Sequence, residues 1–241
     1  MCRHLAYLGP TTGLRDLLFD APHSLAHQAE HPCHQVSGDT NPDGWGVAWY
    51  DTPHAAPARY RTLTPVWSDT EFAARAHALH SGAFVAAARL ASPGATLVET
   101  GNAPFVEGEW SFSLNGIVHG FPSGVGDELR TRVDPDRRAR LLGDADTEVL
   151  FALVLQRLEA GVPPADALAA VVTDVLAITT GRLNLLLGDG AALYATRVGN
   201  SLFRRGPVIA SEPTDDDPGW VEIPDRSVTV MTTDGVADQP L

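Results

Sequence analysis

Short apolar runs, some continuous and some alternating with polar residues, are separated along the chain by Gly, Pro and Asp. Runs of this length and period are typical of β-strands. They predict strands at residues 3–9, 45–50, 58–63, 83–91, 111–118, 183–188, 191–197, 207–211 and 226–232. Three intervening stretches are rich in polar and turn-forming residues and predict long functional loops. These stretches are 21–42, 92–109 and 120–133.

Apolar positions at helical spacing predict four helices. They cover residues 13–19, 69–80, 146–160 and 164–179. Ser68 and Glu71 have the spacing of a capping box at the start of the second helix. The two long helices are consecutive, so strands flank a block of helices instead of alternating with them. This order favours an α+β fold, with stacked sheets and helices outside, over a doubly wound parallel sheet.

The composition narrows the class of protein. The chain has 241 residues, of which 44% are hydrophobic and 20% charged, so we expect a single domain over residues 1–241 with a substantial core. The net charge of −13 argues against nucleic acid as a partner, because phosphate binding needs a basic face. All seventeen basic side chains are arginine, which excludes chemistry that depends on a P-loop lysine or a Schiff-base lysine.

The N-terminus lacks a basic segment followed by an apolar run, and the longest apolar stretch, Val149–Leu155, is too short to span a bilayer. We therefore expect a cytoplasmic protein without a membrane partner. Cys2 and Cys33 are the only cysteines, so no disulfide framework is indicated and a thiol at position 2 would stay reduced.

Cys2 directly follows the initiator methionine. Removal of Met1 would give one residue both a thiol and a free α-amino group, whose reference pKa is about 7.7 to 8. The amine could then take the thiol proton, directly or through a water, so that one residue supplies nucleophile and base. On position alone, a small residue that merely follows from start-site processing is the more common explanation.

Three other features carry candidate chemistry, each with an ordinary structural alternative. Asn115-Gly116 between apolar runs is typical of a hairpin turn, yet an Asn amide beside a Gly N–H also suits an oxyanion hole. Arg89 ends a run of small apolar residues and needs a carboxylate, from the protein or from a ligand. Asp146 opens an apolar helix, where it would cap the helix or bind an ammonium.

A thiol at position 2, with Arg89, Asn115-Gly116 and Asp146 in this order, resembles the class II glutamine amidotransferases, a family of N-terminal-nucleophile hydrolases. The block Asn41–Tyr50 (Asn-Pro-Asp-Gly-Trp-Gly-Val-Ala-Trp-Tyr) looks like that family's Gly-rich strand pair. The resemblance covers essentially the whole chain. It implies a four-layer αββα fold of two stacked, mostly antiparallel sheets with helices outside.

The resemblance also implies a role for each matching residue. Cys2 would be the nucleophile, and Asn115 with Gly116 would form the oxyanion hole. Arg89 would bind the α-carboxylate of a glutamyl group, and Asp146 would hold its α-amino group.

Two further residues match positions near the glutamyl head in this family, namely Ser92 and Asn102. Leu90 and Pro93 depart from the pattern, because a tryptophan and a histidine are common there in biosynthetic amidotransferases. This departure weakens the expectation of efficient glutamine hydrolysis.

No residues follow Leu241 to form a synthase domain that would capture ammonia, so the resemblance favours a stand-alone hydrolase. The opening segment 1–9 and the closing segment 210–226 look like the ergothioneine-pathway branch of the family. That branch removes glutamate from γ-glutamyl-hercynylcysteine sulfoxide through a thioester. The alternatives are a glutaminase subunit that supplies ammonia to a separate synthase, and a non-enzymatic binding domain that retains Met1.

The expected partner is a small-molecule γ-glutamyl substrate, and the implied mechanism needs no metal or organic cofactor. The leaving group carries a trimethylammonium, so Trp45, Trp220 and the acidic run Asp215–Asp217 are candidate contacts. For the acidic run, a solvated surface turn is the more common structure. Whether the chain forms homo-oligomers is left open by the sequence.

One cluster has side chains that bind metals, namely His23, His27, His31, Cys33 and His34. It would suit zinc on a continuous helix, but Pro32 interrupts it and the spacing matches no compact ligand pattern. We therefore expect no metal site.

Overall fold

In the computed structural model, which describes residues 2–92 and 94–241, thirteen strands form two antiparallel sheets. The strands are β1 (Arg3–Gly13), β2 (Trp45–Tyr50), β3 (Ala58–Thr62), β4 (His80–Ala88), β5 (Phe105–Glu107), β6 (Trp110–Val118), β7 (Gly181–Gly188), β8 (Ala192–Arg197), β9 (Phe203–Arg205), β10 (Val208–Ala210), β11 (Val221–Glu222), β12 (Ser227–Thr232) and β13 (Gly235–Pro240). The first sheet has the order β11-β9-β10-β1-β4-β2-β3, and the second has the order β13-β12-β8-β7-β6-β5. The first strand of the chain therefore lies in the middle of a sheet, between β4 and β10.

Residues 2–92 and 94–241 also form six α-helices. They are α1 (Leu25–Glu30), α2 (Thr70–Arg75), α3 (Val125–Thr131), α4 (Pro135–Arg138), α5 (Asp146–Glu159) and α6 (Pro164–Ile178). The two long helices, α5 and α6, share one apolar cluster with the second sheet. The short helices α1 and α2 share another with the first sheet.

Alternation along the strands divides the apolar side chains among three buried layers. In β1, Leu5 packs in the cluster of α1 and α2, whereas Ala6 packs in the cluster between the sheets. In β7, Leu185 packs with α5 and α6, whereas Leu186 packs between the sheets. Three layers between four tiers make an αββα sandwich, which confirms the predicted α+β fold class.

Each predicted strand is present, although 83–91 is shifted to His80–Ala88. Four strands were not predicted, namely β5, β9, β11 and β13. The first three have only two or three residues, and all six residues of β13 are exposed, so these strands lack an apolar pattern. The predicted loops 21–42 and 120–133 contain α1 and α3.

The helices predicted in the N-terminal half are shorter than expected. Helix 13–19 is reduced to a single π-helical turn at Asp16–Asp20. Helix 69–80 covers only Thr70–Arg75, and the predicted cap at Ser68 is wrong. Asp69 caps this helix, because its Oδ1 accepts a hydrogen bond from the backbone N–H of Phe72 at 3.0 Å.

None of the helices within residues 2–92 and 94–241 is long and apolar enough to cross a membrane.

Removal of a side chain from the layer between the sheets should destabilise the protein. Leu186 is fully buried there, whereas Leu142 is 72% exposed. We expect Leu186→Ala to lower the free energy of unfolding by about 2 to 5 kcal/mol, because it removes buried methyl groups and leaves a cavity. The matched change Leu142→Ala should alter it by about 0.5 kcal/mol or less. Chemical denaturation measures both, and equal losses would contradict the assignment of Leu186 to this layer.

Candidate active site

Cys2 immediately precedes β1 and is half-buried. In the ladder between β1 and β4, Arg3 pairs with Ala88. Continuing this antiparallel register by one residue places Cys2 and Arg89 at neighbouring positions. The sheet thus brings the candidate nucleophile next to the candidate carboxylate-binding residue, although they lie 87 positions apart in the sequence.

A buried ion pair lies at the start of β1, next to Cys2. Arg3 is fully buried, and its Nη1 donates to Glu212 Oε1 at 2.6 Å. Its Nε donates to the carbonyl oxygen of Cys2 at 2.9 Å. Glu212 also accepts from the backbone N–H groups of Cys33 and His34, at 2.9 and 3.0 Å. One carboxylate therefore connects the loop at 33–34 to the residue beside Cys2.

Arg89 is oriented by Asn102. Arg89 Nη1 donates to Asn102 Oδ1 at 3.2 Å, and Asn102 Nδ2 donates to the carbonyl oxygen of Thr62 at 2.7 Å. Asn102 is fully buried, and a Cβ at Gly44, whose φ is +99°, would lie only 2.2 Å from its Nδ2. Asn102 therefore affects the site indirectly, by orienting the Arg89 guanidinium.

Asp146 is the first residue of α5, and its carboxyl group is enclosed by hydrogen-bond donors. Oδ2 accepts from the backbone N–H of Val118 at 3.1 Å, and Oδ1 accepts from that of Thr147 at 2.8 Å. Burial raises the pKa of Asp146, while these hydrogen bonds and the positive charge of Arg89 act in the opposite direction. Arg89 and Asp146 thus present opposite charges within electrostatic range of each other.

Asn115 and Gly116 lie in the interior of β6. Asn115 pairs with Asn184, and Gly116 pairs with Leu183 of β7. The strand predicted over 111–118 is therefore confirmed through this dipeptide to Val118, and the alternative of a hairpin turn at Asn115-Gly116 is not what the structure forms. Glycine is required by packing here, since a Cβ at Gly116 would lie 1.7 Å from a carbonyl oxygen of β7.

The N–H of Gly116 faces away from β7. His119 N–H donates to the Thr180 carbonyl, on the β7 side of β6. Successive N–H groups along a strand alternate between its two edges, so those of Gly116 and Val118 point to the edge away from β7. Within the described residues, β5 covers only the first three residues of that edge. The N–H of Val118 donates there to Asp146, so Gly116 directs its donor to the same side as the Asp146 carboxylate.

The structure does not bring Trp45 to this site. Trp45 is fully buried, its Nε1 donates to Asp69 Oδ2 at 3.0 Å, and its ring packs edge-on against Phe72 at 5.0 Å. The expectation that Trp45 contacts substrate is corrected, because the indole is enclosed between the first sheet and the short helices.

Trp220 is half-buried, and the Arg205 guanidinium lies 5.4 Å from the centre of its ring. Its Nε1 donates to Asp215 Oδ1 at 3.0 Å. Asp215 and Asp217 pair with Arg205, and Asp216 pairs with His23. The Arg205 guanidinium lies over one face of the Trp220 ring and would repel a substrate cation there. A contact between Trp220 and the substrate's trimethylammonium therefore stays a prediction for the opposite face of the ring only.

Ser92 is exposed and lies three residues after Arg89. Its role stays a prediction. Pro93 and Met1, which the sequence analysis also singled out, lie outside the described residues.

The rings of His23, His27 and His31 follow one another with centroids 5.5 Å apart. Across residues 2–92 and 94–241, no group of three or more His, Cys, Asp or Glu side chains is arranged to hold a metal ion.

Four residues at this end of the fold were given no role by the sequence analysis, namely Arg3, Asn200, Ser211 and Glu212. The closing segment 210–226 contained Ser211 and Glu212 as part of a family-like motif, which was the available signal. Asn200 follows Gly199 in a connection between strands, and nothing in the local sequence distinguishes it from a turn residue.

Comparison with known proteins places this geometry in a family. The model of the glutamine amidotransferases class-II matches residues 19–218. The chain belongs to this family. The resemblance seen in the sequence is thereby confirmed.

Two curated relatives match the class-II amidotransferase chain along its length. The γ-glutamyl-hercynylcysteine sulfoxide hydrolase of Mycolicibacterium smegmatis is 36% identical over 246 residues, covering 100% of both chains. The protein of the same name from Mycobacterium tuberculosis H37Rv is 36% identical over 243 residues, covering 98% of this chain and 95% of the relative.

Solved structures give the same fold. A glutamine aminotransferase class-II domain protein from Silicibacter pomeroyi superimposes with a TM-score of 0.72 at 27% identity, covering 99% of both chains. The glutamine phosphoribosylpyrophosphate amidotransferase of B. subtilis has a TM-score of 0.68 at 14% identity, covering all of this chain and 49% of that one. The αββα sandwich is thus the N-terminal-nucleophile hydrolase fold of the class-II amidotransferases.

Asp146→Asn should gain stability relative to the wild type as the pH rises from 4 to 7. Because burial raises the pKa of Asp146, the ionised carboxylate costs stability once the pH exceeds the folded pKa. That cost is absent below the ordinary pKa of about 3.9. We expect the melting temperature of the variant, relative to that of the wild type, to be higher at pH 7 than near pH 4, because asparagine carries no charge at either pH. Asparagine keeps only one of the two acceptor oxygens, and this loss is the same at both pH values.

Thermal unfolding at pH 7 and near pH 4 measures this effect. The melting temperature of Asp146→Asn minus that of the wild type should be lower near pH 4 than at pH 7. The same difference at both pH values would contradict the burial of the Asp146 charge.

Proposed function

We propose that the protein hydrolyses the γ-glutamyl amide of γ-glutamyl-hercynylcysteine sulfoxide, releasing glutamate and hercynylcysteine sulfoxide. The identity of 36% with the mycobacterial hydrolases of that name, over the full length of the chain, supports this reaction. The structural observation that carries it is the opposite charge of Arg89 and Asp146 at the end of the fold that holds Cys2.

A glutamyl group is a zwitterion at its α-carbon, so it needs a cation and an anion at a fixed separation. The Arg89 guanidinium binds the α-carboxylate, and the planar fork of its donors suits two carboxylate oxygens. Asp146 accepts from the α-ammonium, whose charge compensates the buried carboxylate. The γ-carbonyl then extends toward Cys2, beside Arg89.

Catalysis begins when the Cys2 sulfur attacks the γ-carbonyl carbon and the Cys2 α-amino group takes the thiol proton. The electron pair of the carbonyl double bond moves onto oxygen, where the Asn115 amide and the Gly116 N–H donate to it. Collapse breaks the C–N bond, and the α-ammonium returns its proton to the leaving amine. A γ-glutamyl thioester remains on Cys2.

Water then attacks the thioester. The α-amino group takes a proton from the water, the C–S bond breaks, and the sulfur is reprotonated as glutamate leaves. These steps need a free α-amino group on Cys2 and therefore the removal of Met1. We also propose a cytoplasmic location, because an unprotected nucleophilic thiol needs a reducing compartment.

Matched cysteine variants test the nucleophile. Cys2→Ala should reduce glutamate release by at least about 1,000-fold, because no other group replaces the attacking sulfur. Cys33→Ala should keep wild-type rates, since Cys33 is exposed and contacts Glu212 through its backbone N–H. Glutamate release is measured from γ-glutamyl-hercynylcysteine sulfoxide, with intact-mass analysis to verify the loss of Met1. Equal activity of Cys2→Ala and wild type would refute the assignment.

The same assay with glutamine separates the hydrolase from an ammonia-supplying subunit. We expect the sulfoxide conjugate to have the higher kcat/KM. A higher kcat/KM for glutamine would favour the subunit, and a retained methionine with no turnover of either substrate would favour a binding domain.

A further inference from the structure

The layer between the two sheets changes from apolar to polar at the end that holds Cys2. In β6, Ser113 and Asn115 face this layer and are fully buried. Asn200 approaches them from the connection after β8 and is 2% exposed. Ser211 approaches them from the first-sheet side, directly after β10, and is fully buried. Hydrogen bonds among groups this deeply buried fix their orientations.

Asn200 determines which way the Asn115 amide faces. Asn200 Nδ2 donates to the backbone carbonyl oxygen of Asn115 at 2.9 Å. That oxygen only accepts, so the Asn200 atom next to it is the nitrogen. The same nitrogen lies 3.4 Å from the Asn115 side chain, where an acceptor is therefore required. Asn115 turns its Oδ1 toward Asn200 and its Nδ2 away.

Ser211 receives that nitrogen. Asn115 Nδ2 donates to Ser211 Oγ at 3.0 Å. Ser211 is itself tied to β1, because its N–H donates to the His4 carbonyl and its Oγ accepts from the His4 N–H, both at 2.9 Å. Ser211 thus links the Asn115 amide to the strand that begins one residue after Cys2.

An amide nitrogen carries two N–H bonds, and Ser211 takes one of them. Among residues 2–92 and 94–241, Asn115 Nδ2 makes no other hydrogen bond. An oxyanion donor is effective when it is already oriented before charge develops, so that nothing reorganises during the reaction. An Asn115 amide held on both sides meets this condition, whereas one without these partners would rotate.

We propose that Ser211 and Asn200 are positioning residues, which hold the Asn115 carboxamide so that its second N–H is free for the oxyanion. The inference rests on the proposed function, in which Asn115 stabilises the tetrahedral intermediate. The two residues act on the transition state through Asn115, and Arg89 and Asp146 bind the glutamyl head without them.

Ser211→Ala removes the acceptor for Asn115 Nδ2, and Ser113→Ala is its matched control. Ser113 is equally buried in the same layer, but its hydroxyl contacts His4 Nδ1 at 3.0 Å instead of Asn115. We expect Ser211→Ala to lower kcat by about 10- to 100-fold, within the effect of losing one oxyanion donor, with KM unchanged within about twofold. Ser113→Ala should keep kcat within about twofold of wild type.

A double-mutant cycle separates positioning from a merely structural role. In the Asn115→Ala background, Ser211→Ala should have no further effect on kcat, because the group that it positions is absent. A structural role would slow the Asn115→Ala enzyme by the same factor as the wild type. Equal factors in the two backgrounds, or an unchanged kcat for Ser211→Ala, would overturn the proposal.

Folding of each variant is checked by its melting temperature. Should Ser211→Ala not fold, Ser211→Cys keeps nearly the same volume with a weaker acceptor, and the same loss of kcat without a change in KM is expected. The assays use γ-glutamyl-hercynylcysteine sulfoxide and glutamine in parallel. Wild-type turnover of glutamine alone overturns the proposed substrate while the cycle still tests Ser211, and no turnover of either overturns both.

Discussion

The antiparallel ladder of β1 with its two neighbours is the constraint on which the candidate site depends. It sets Cys2 against Arg89 on one side and His4 against Ser211 on the other. A slip of one residue would turn every side chain of β1 to the opposite face. Leu5, which packs against α1 and α2, and Ala6, which packs between the sheets, oppose such a slip because both layers are fully buried. The packing of Leu5 and Ala6, three and four residues along the chain, thus determines the register at Cys2.

The polar end of the fold is costly to bury. Arg3 loses its hydration and recovers part of the cost from Glu212, which also satisfies two backbone N–H groups of the loop at 33–34. Burial likewise raises the pKa of Asp146, and hydrogen bonds from Val118 and Thr147 and the charge of Arg89 oppose this shift. The apolar layers around α5 and α6 and between the sheets offset these costs. The polar end thus lowers the stability of the fold and the apolar layers restore it, which is the usual compromise between stability and activity.

The long helices and main strands could be predicted because their apolar patterns are complete within a few residues. The sequence left open whether Asn115-Gly116 forms a turn or continues the strand predicted over 111–118, because the dipeptide has the composition of a turn and only its pairing with β7 decides between them. The prediction that Trp45 contacts substrate failed for a related reason, because an indole suits both a cation-binding site and a hydrophobic core. Cys2, Arg89 and Asp146 were singled out by residue type and position, and their roles came from resemblance to a family. Asn200 acquires meaning only from its distance to Asn115, which lies 85 positions earlier in the chain.

His4 bears on which group takes the thiol proton, because it lies two residues from Cys2. Complete burial, reinforced by the positive charge of Arg3, lowers the pKa of His4 to about 3. Its Nδ1 contacts the Ser113 hydroxyl, and its ring faces the layer between the sheets. An imidazole with so low a pKa binds protons weakly at neutral pH, so His4 is a poor base for the Cys2 thiol. Glu212 is equally unsuited, because its carboxylate is committed to Arg3 and to two backbone donors. In the proposed mechanism the α-amino group of Cys2 is the base, because its ordinary pKa matches the task, and this is why removal of Met1 matters for the proposed chemistry.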